Sequence, residues 1–407
     1  MHLVELLKRR PVPAAAVFLA LTRRCPLSCR HCSTASEPDA EQQSGALLRR
    51  FVAGFSRADH PEFLLLTGGE PLLRPSLVHT LATTARAAGT RSYLLTGAFF
   101  ARGGTTPPTV RSALRAVDHV AVSLDVFHEE YVPRHQVFRV LHELLADGRD
   151  ASIQACGNGS DDPYLTELTE QVRREFGDRV PMLVGTVQPV GRAREWSPDG
   201  GTHGHGTGGE GAGGEGTGGE DRSGHGTGHL PVQGLLRAAP CDLAAWPVVG
   251  FDGTITACCN QDTLDERPVA GHLRLGHVGS TTWPQVRRRV TTTPVLRALR
   301  TYGPLQLAQR HLAAPARPDT GSGPGAAALD FLDSLDYCGT CRSLAGAPDA
   351  LRRIEADGSR PSAALLEQQA IALQSQSGPV GFARRHGAAT RAGLVLLGGT
   401  GPAEGAA

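Results

Sequence analysis

The chain is 407 residues long, with 41 basic and 40 acidic side chains and a formal net charge of +1. That balance argues against nucleic acid or an anionic membrane surface as partner, and no run approaches the roughly 18 apolar residues of a membrane span. The length allows about two to three domains. The 50 glycines, the 28 prolines and a basic set with Lys8 as its only lysine reflect coding bias more than function.

The N-terminus carries Lys8-Arg9-Arg10 but no apolar segment leading to a small-residue cleavage site. A reducing, cytoplasmic setting is therefore expected. Residues 16–21 read as a buried strand, and residues 39–55 as a helix with Leu47, Leu48, Phe51 and Val52 at helical spacing. Residues 63–67 are a second strand ending in Gly68-Gly69-Glu70-Pro71. Ser76 stands where it would cap a helix that Gly89 stops. Residues 93–97 and 120–124 are a third and a fourth strand. A helix follows with Val137, Val140, Leu141 and Leu144 on one face and Gly148 at its end. Residues 151–156 are a fifth strand. Asp162-Pro163 opens a helix burying Leu165, Leu168, Val172 and Phe176, and residues 182–187 are a sixth strand.

Apolar strands alternating with helices imply parallel pairing and right-handed crossovers. The expected fold is α/β: a partial (β/α)6 TIM-like barrel, open on one side. In such folds the loops at the C-terminal strand ends carry the chemistry, and Cys25, Gly68 and Asp125 fall there.

Residues 200–228, repeats of Gly, Thr, Glu and His, read as a flexible linker. Its His203, His205 and His225, with His229, lack a regular ligand spacing. Beyond it, Asp252-Gly253 between apolar runs signals a hairpin. Residues 283–302 and 352–375 read as helices, and the tail from Arg385 as poorly ordered. The expected organisation is an N-terminal extension (1–13), the barrel (14–198), the linker (199–230), a small C-terminal β-hairpin-plus-helix cluster-binding domain (231–345), a helical segment (346–384) and the tail (385–407).

The loop after the first strand reads Cys25-Pro-Leu-Ser-Cys29-Arg-His31-Cys32. Three thiolates at this spacing reach three corners of one iron–sulfur cube and leave one iron without a protein ligand. A zinc knuckle would show paired Cys-x2-Cys, and a disulfide cluster would want secretion. The pattern Cys-x3-Cys-x-His-Cys resembles the signature of the radical S-adenosylmethionine (radical SAM) superfamily. The resemblance implies a [4Fe–4S] cluster held by Cys25, Cys29 and Cys32. It further implies S-adenosylmethionine (SAM) chelated at the open iron and reductively cleaved to a 5′-deoxyadenosyl radical that abstracts hydrogen from substrate. Such chemistry belongs to the cofactor.

Gly68-Gly69-Glu70 resembles the superfamily motif whose backbone and acid hold the SAM amino group. Ser123 and Asp125 resemble the polar pair that contacts SAM ribose or carboxylate, against which a plain polar strand cap stands as the other reading. His31, inside the loop, counts with this cofactor-binding set. His128 or Glu130 could take a substrate proton, or simply open a solvated helix. Cys156 could give hydrogen to a substrate radical, or behave as a small buried hydrophobe.

Cys241, Cys258, Cys338 and Cys341 resemble a SPASM/twitch extension, which implies a second, auxiliary [4Fe–4S] cluster. A structural zinc on the same four residues is the alternative. Cys259 neighbours Cys258, but adjacent strand side chains point oppositely. The resemblance thus implies a radical SAM oxidoreductase or maturase acting on a ribosomally made peptide in natural-product maturation. Its expected partners are a reducing flavodoxin or ferredoxin and, since the loop begins at residue 25 with no leader-binding region before it, a separate leader-recognition protein. The alternatives are a radical SAM dehydrogenase of a small molecule such as an aminocyclitol or sugar, and a non-enzymatic electron carrier or zinc-stabilised module.

Overall fold

The computed structural model describes residues 1–159, 161–196, 240–312 and 337–399. The chain opens with α1 (Leu3–Lys8), then enters β1 (Ala16–Ala20), α2 (Gly45–Ala53), β2 (Phe63–Thr67), α3 (Pro75–Ala88), β3 (Arg91–Thr96), α4 (Pro108–Ala116) and β4 (His119–Ser123). After the short α5 (Val126–Glu129) come α6 (Arg134–Ala146), β5 (Asp150–Gly157), α7 (Pro163–Phe176) and β6 (Met182–Thr186). Each of β1 to β5 pairs in parallel with the next.

Three more strands continue the same sheet: β7 (Val248–Val249) runs parallel to β1, and β8 (Thr254–Thr256) and β9 (Arg274–His277) follow antiparallel. The order is β6-β5-β4-β3-β2-β1-β7-β8-β9. The sheet is thus open and mostly parallel, the partial TIM-like barrel expected of the alternating pattern. The hairpin turn forms at Asp252-Gly253, with Gly253 at φ +88° and Val248 opposite Thr256. It lengthens the barrel sheet beside β1, which brings the C-terminal region to the loop that carries the three cysteines.

The strands divide their side chains by the two-residue period. Val17, Leu19, Leu64, Leu66, Leu94, Val120 and Ile153 pack against the apolar stripes of the outer helices. Ala16, Phe63, Leu65, Tyr93 and Ala121 instead join Leu3, Leu6, Leu7, Trp246, Ala392 and Val395. The concave side is therefore filled by α1 and by the end of the chain. Helix α1 lies over the N-terminal strand ends: Arg9 pairs with Glu62, Glu5 with Arg91, and the amino terminus with Asp150.

Several elements differ from the sequence expectation. Helix α2 starts at Gly45, because Ser44 accepts from the Leu47 N–H and sets the N-terminus there. Ser76 is not a cap: Pro75 takes the first helical position, where its missing N–H costs nothing. The helix expected over 283–302 is two, α9 (Trp283–Thr292) and α10 (Pro294–Tyr302), after α8 (Gln261–Asp265). Pro294 cannot continue an incoming helix. Following α11 (Pro304–Leu312) and α12 (Tyr337–Ser343), the segment expected over 352–375 is likewise two, α13 (Pro348–Gly358) and α14 (Pro361–His386), parted at Arg360-Pro361.

The tail from Arg385 is not poorly ordered through residue 399. Ala388 N–H donates to Val184 O at 2.8 Å on the edge of β6, and a 3₁₀ stretch, Ala389–Leu396, buries Val395. The linker over 199–230, with His203, His205, His225 and His229, and residues 400–407 lie outside the described residues. Among the described residues no helix is long and apolar enough to cross a membrane.

Candidate active site and metal centres

The loop from β1 is pinned to the loop from β2 backbone to backbone. Gly69 N–H donates to Thr22 O (2.7 Å) and Glu70 N–H to Arg24 O (2.8 Å). A Cβ on Gly68 would stand 2.3 Å from Thr22 O, and one on Gly69 2.4 Å from Arg24 O. The two glycines thus let two backbones touch, and what they approach here is the cysteine loop itself. Cys25 and Cys29 are buried and Cys32 half-buried on that loop.

Glu70 is fully buried and spends both oxygens on the scaffold. Oε1 accepts from Leu72 N–H (2.8 Å) and Oε2 from Gly97 N–H (2.9 Å), and the Thr96 hydroxyl donates at 2.9 Å. Burial, the dominant influence, lifts its acid to about 7 against three hydrogen bonds that pull it down. In this structure the acid ties the end of β2 to the end of β3.

Asp125, N-cap of α5, is the hub of the mouth. Its Oδ1 accepts from the backbone of Phe127 and His128 (both 3.1 Å) and from His128 Nδ1 (2.8 Å). Its Oδ2 accepts from Cys156 N–H at 3.2 Å and lies 3.4 Å from His31 Nε2. Burial works to raise its carboxyl, but the His128 and His31 rings outweigh that and hold it well below the usual carboxylate range. Burial works to lower His128 likewise; Asp125 and the neighbouring Cys29 overcome it and raise the ring to about 10. Paired with Asp125, the ring is held in its protonated form.

His31 stacks on Phe127 with centroids 4.5 Å apart, and its Nδ1 is buried without a hydrogen-bond partner among the described residues. The ligand atoms of His31, Asp125 and Cys156 all lie within 4.8 Å of one another. Burial pushes the Cys156 thiol up to about 12. Ser123 ends β4 half-buried, and Glu130 is exposed, 3.5 Å from Arg30. The structure therefore gathers His31, Asp125, His128 and Cys156 around the cysteine loop and leaves Glu130 at the rim.

Three thiols on one loop offer the soft sulfur donor set of a metal cluster. Burial, then the charges of Glu70, Cys32 and Cys29, push Cys25 up to about 12, whereas at Cys32 burial is outweighed by hydrogen bonds from Thr34 and Ser36, which hold it below the ordinary thiol value. The second set behaves as Cys25 does. Cys258 is raised by burial and by the charges of Cys259, Cys241 and Cys338; Cys341 is raised by burial, Cys241 and Cys338. Cys241 and Cys338 thus lie within electrostatic reach of both Cys258 and Cys341.

Cys259 turns to a different neighbour, its sulfur accepting from Arg10 Nη2 at 3.0 Å. Three neighbours of these sites escaped the sequence reading: His272, whose Nε2 lies 3.9 Å from Cys341 Sγ, and Arg192 and Trp196 beyond β6. For Arg192 and Trp196 a signal existed, since both follow the C-terminal end of a parallel strand. For His272 nothing local marks it.

A family model described as the radical SAM superfamily matches residues 19–153. The PqqA peptide cyclase of Ruegeria pomeroyi is 37% identical over 28% of this chain and 30% of its own length. The GTP 3′,8-cyclase of a Synechococcus species is 33% identical over 30% of this chain and 37% of its own. The chain thus spans about a third of the length of these curated relatives. Among solved structures, native anSMEcpe with bound AdoMet and Cp18Cys peptide aligns over 83% of this chain and 98% of its own, at 12% identity and a TM-score of 0.44.

Proposed function

We propose that this chain, whose residues 19–153 match the radical SAM superfamily model, is a radical SAM enzyme that abstracts hydrogen from a ribosomally made peptide. In this reading Cys25, Cys29 and Cys32 hold a [4Fe–4S] cluster, and SAM binds beside it over the strand ends. When bound, the two supply one-electron cleavage of SAM and removal of a substrate hydrogen atom.

The chain's own residues do the holding. Gly68 and Gly69 lock the cysteine loop to β2, and Glu70 and Thr96 fix the floor beneath it. Asp125, with Ser123 at the end of β4, presents the polar rim for SAM, and His31 and His128 keep that carboxylate charged. His128 acts as a proton holder, and Cys156 faces the same space from β5. One observation carries the reading: three thiols on a single loop at the C-terminal mouth of a parallel sheet, locked there by two glycines.

Cys241, Cys258, Cys338 and Cys341 hold a second [4Fe–4S] cluster of the twitch type, fed like the first by a reducing flavodoxin or ferredoxin. The peptide substrate follows the likeness to the PqqA peptide cyclase.

Anaerobic reconstitution with iron and sulfide counting, followed by a SAM-cleavage assay, tests the proposal. About eight irons per chain are expected, about four in a Cys25/Cys29/Cys32→Ala variant that no longer cleaves SAM. About four irons plus one zinc makes the second site structural. SAM cleavage coupled to oxidation of an aminocyclitol or sugar, with peptides inert, replaces the peptide by a small molecule. A loaded, reducible chain that cleaves no SAM overturns the enzyme.

A further inference from the structure

The segment from Gly191 to Trp196, beyond β6, makes a set of contacts that the proposed function leaves unexplained. Gly191 stands at φ +58°, where a Cβ would lie 2.3 Å from Cys32 O and 2.3 Å from Ser33 O. Only glycine lets this backbone lie so close against the cysteine loop. The next residue takes hold of it: Arg192 N–H donates to Cys32 O at 3.0 Å. Its guanidinium donates through Nε to Cys29 O (3.0 Å) and through Nη1 to Ser36 O (2.5 Å). Trp196 Nε1–H donates to Arg30 O at 3.0 Å. One short segment thus holds four carbonyls of the loop, those of Cys29, Arg30, Cys32 and Ser36.

Two features set Arg192 apart from an ordinary structural clasp. Its Nη2 is buried with no hydrogen-bond partner among the described residues, a donor still in need of an acceptor. Its charge also sits on the loop itself, the guanidinium spanning from the Cys29 carbonyl to the Ser36 carbonyl on either side of Cys32 in the chain. A guanidinium is charged at every working pH and presents its donors in a rigid fork. Lysine carries the same charge without the fork.

We propose that Arg192 is a positioning residue for the metal cluster of the three-cysteine loop, fixing the loop's shape through its carbonyls and favouring the reduced cluster through its charge. This rests on the reading of Cys25, Cys29 and Cys32 as cluster ligands. Reduction adds one negative charge to a site already carrying three thiolates, and a fixed cation beside it raises the reduction potential.

The test compares full-length wild type, Arg192→Gln and Arg192→Lys after anaerobic reconstitution. Three quantities are measured: iron and sulfide content, the rate of iron loss to a competing chelator, and the midpoint potential of the N-terminal cluster followed by electron paramagnetic resonance. The potential is read in the Cys258→Ser background, so that one cluster is seen. Arg192→Gln is expected to lose iron about tenfold faster, the usual scale for removing an outer-shell partner, and to shift the potential downward. Arg192→Lys is expected to restore the potential while still losing iron quickly.

Should the glutamine variant not fold, the lysine variant decides: fast iron loss at an unshifted potential supports the proposal, and wild-type iron retention overturns it. Wild-type retention and potential in Arg192→Gln overturn this inference alone, and so does fast loss with an unmoved potential, which leaves a clasp without an electrostatic role. A wild-type chain that takes up no iron and sulfide overturns the cluster reading together with this one.

Discussion

His128 donates through Nδ1 to Asp125 Oδ1 at 2.8 Å, three residues apart across the first turn of α5, and the two side chains are 15% and 2% exposed. So close and so buried, each fixes the charge of the other. The carboxylate is kept ionised at the end of β4, and the imidazolium is kept next to Cys29.

Replacing Asp125 by Asn removes the anion and leaves a buried cation. The metal-free chain is expected to lose about 3 kcal/mol at pH 7, the scale for breaking a buried pair. The pH dependence has a defined sign. A histidine raised to about 10 stabilises fully below its unfolded value near 6.5 and loses that contribution as pH rises through about 10. Asp125, held low, contributes above about pH 4 and loses its contribution in acid. Buried thiols add their own alkaline loss, so the readout is the difference between wild type and Asp125→Asn. Denaturant titrations from pH 7 to 10 should show that difference shrinking.

Gly68→Ala puts a methyl group against Thr22 O at a φ of +147°. The backbone strain alone is worth about 1–3 kcal/mol, and the clash displaces the loop that carries the thiols. Iron uptake should fall severely while the far-ultraviolet circular dichroism of the barrel persists. Wild-type iron uptake would mean that the contact between the two loops is dispensable.

Glu70→Gln replaces one of two accepting oxygens with a donor that faces another N–H or hydroxyl. A loss of about 1–3 kcal/mol is expected from the buried group left unpaired. Because burial raises the wild-type acid to about 7, ionised Glu70 costs the fold more as pH rises from 4.5 toward 7. The gap between variant and wild type should therefore narrow across that window.

Cys258 and Cys259 are adjacent but look to different partners, one to the other thiols and one to Arg10. Metal analysis of Cys258→Ser should show loss of the second site's metal. Cys259→Ser should keep it.

Val395, fully buried near the chain end, packs with Leu3, Leu6 and Trp246 on the concave side of the sheet. Val395→Ala should cost about 2 kcal/mol in a chemical melt. No change would mean that the last turn of the described chain is not part of the folded core.

The alternation of apolar strands with helices and the three-cysteine loop were legible in the sequence, because periodicity, turn residues and ligand spacing are local properties. Six strands, their parallel order and the hairpin at Asp252-Gly253 were all expected from such signals. Helix breaks at Pro294 and Pro361 are also written in the chain, although the amphipathic stripe runs on through each proline where the backbone does not.

Other features belonged to the tertiary structure alone. The sequence could not say that Gly68 and Gly69 face a neighbouring loop, that His31 and His128 share one carboxylate, or that Arg192 holds the carbonyls of Cys29 and Ser36. Each joins residues separated along the chain or aims a side chain that spacing leaves free, and such meetings arise only when the sheet curls and brings its strand ends together. The same holds for the end of the chain, whose small apolar residues looked unstructured until the concave face supplied a surface to bury them.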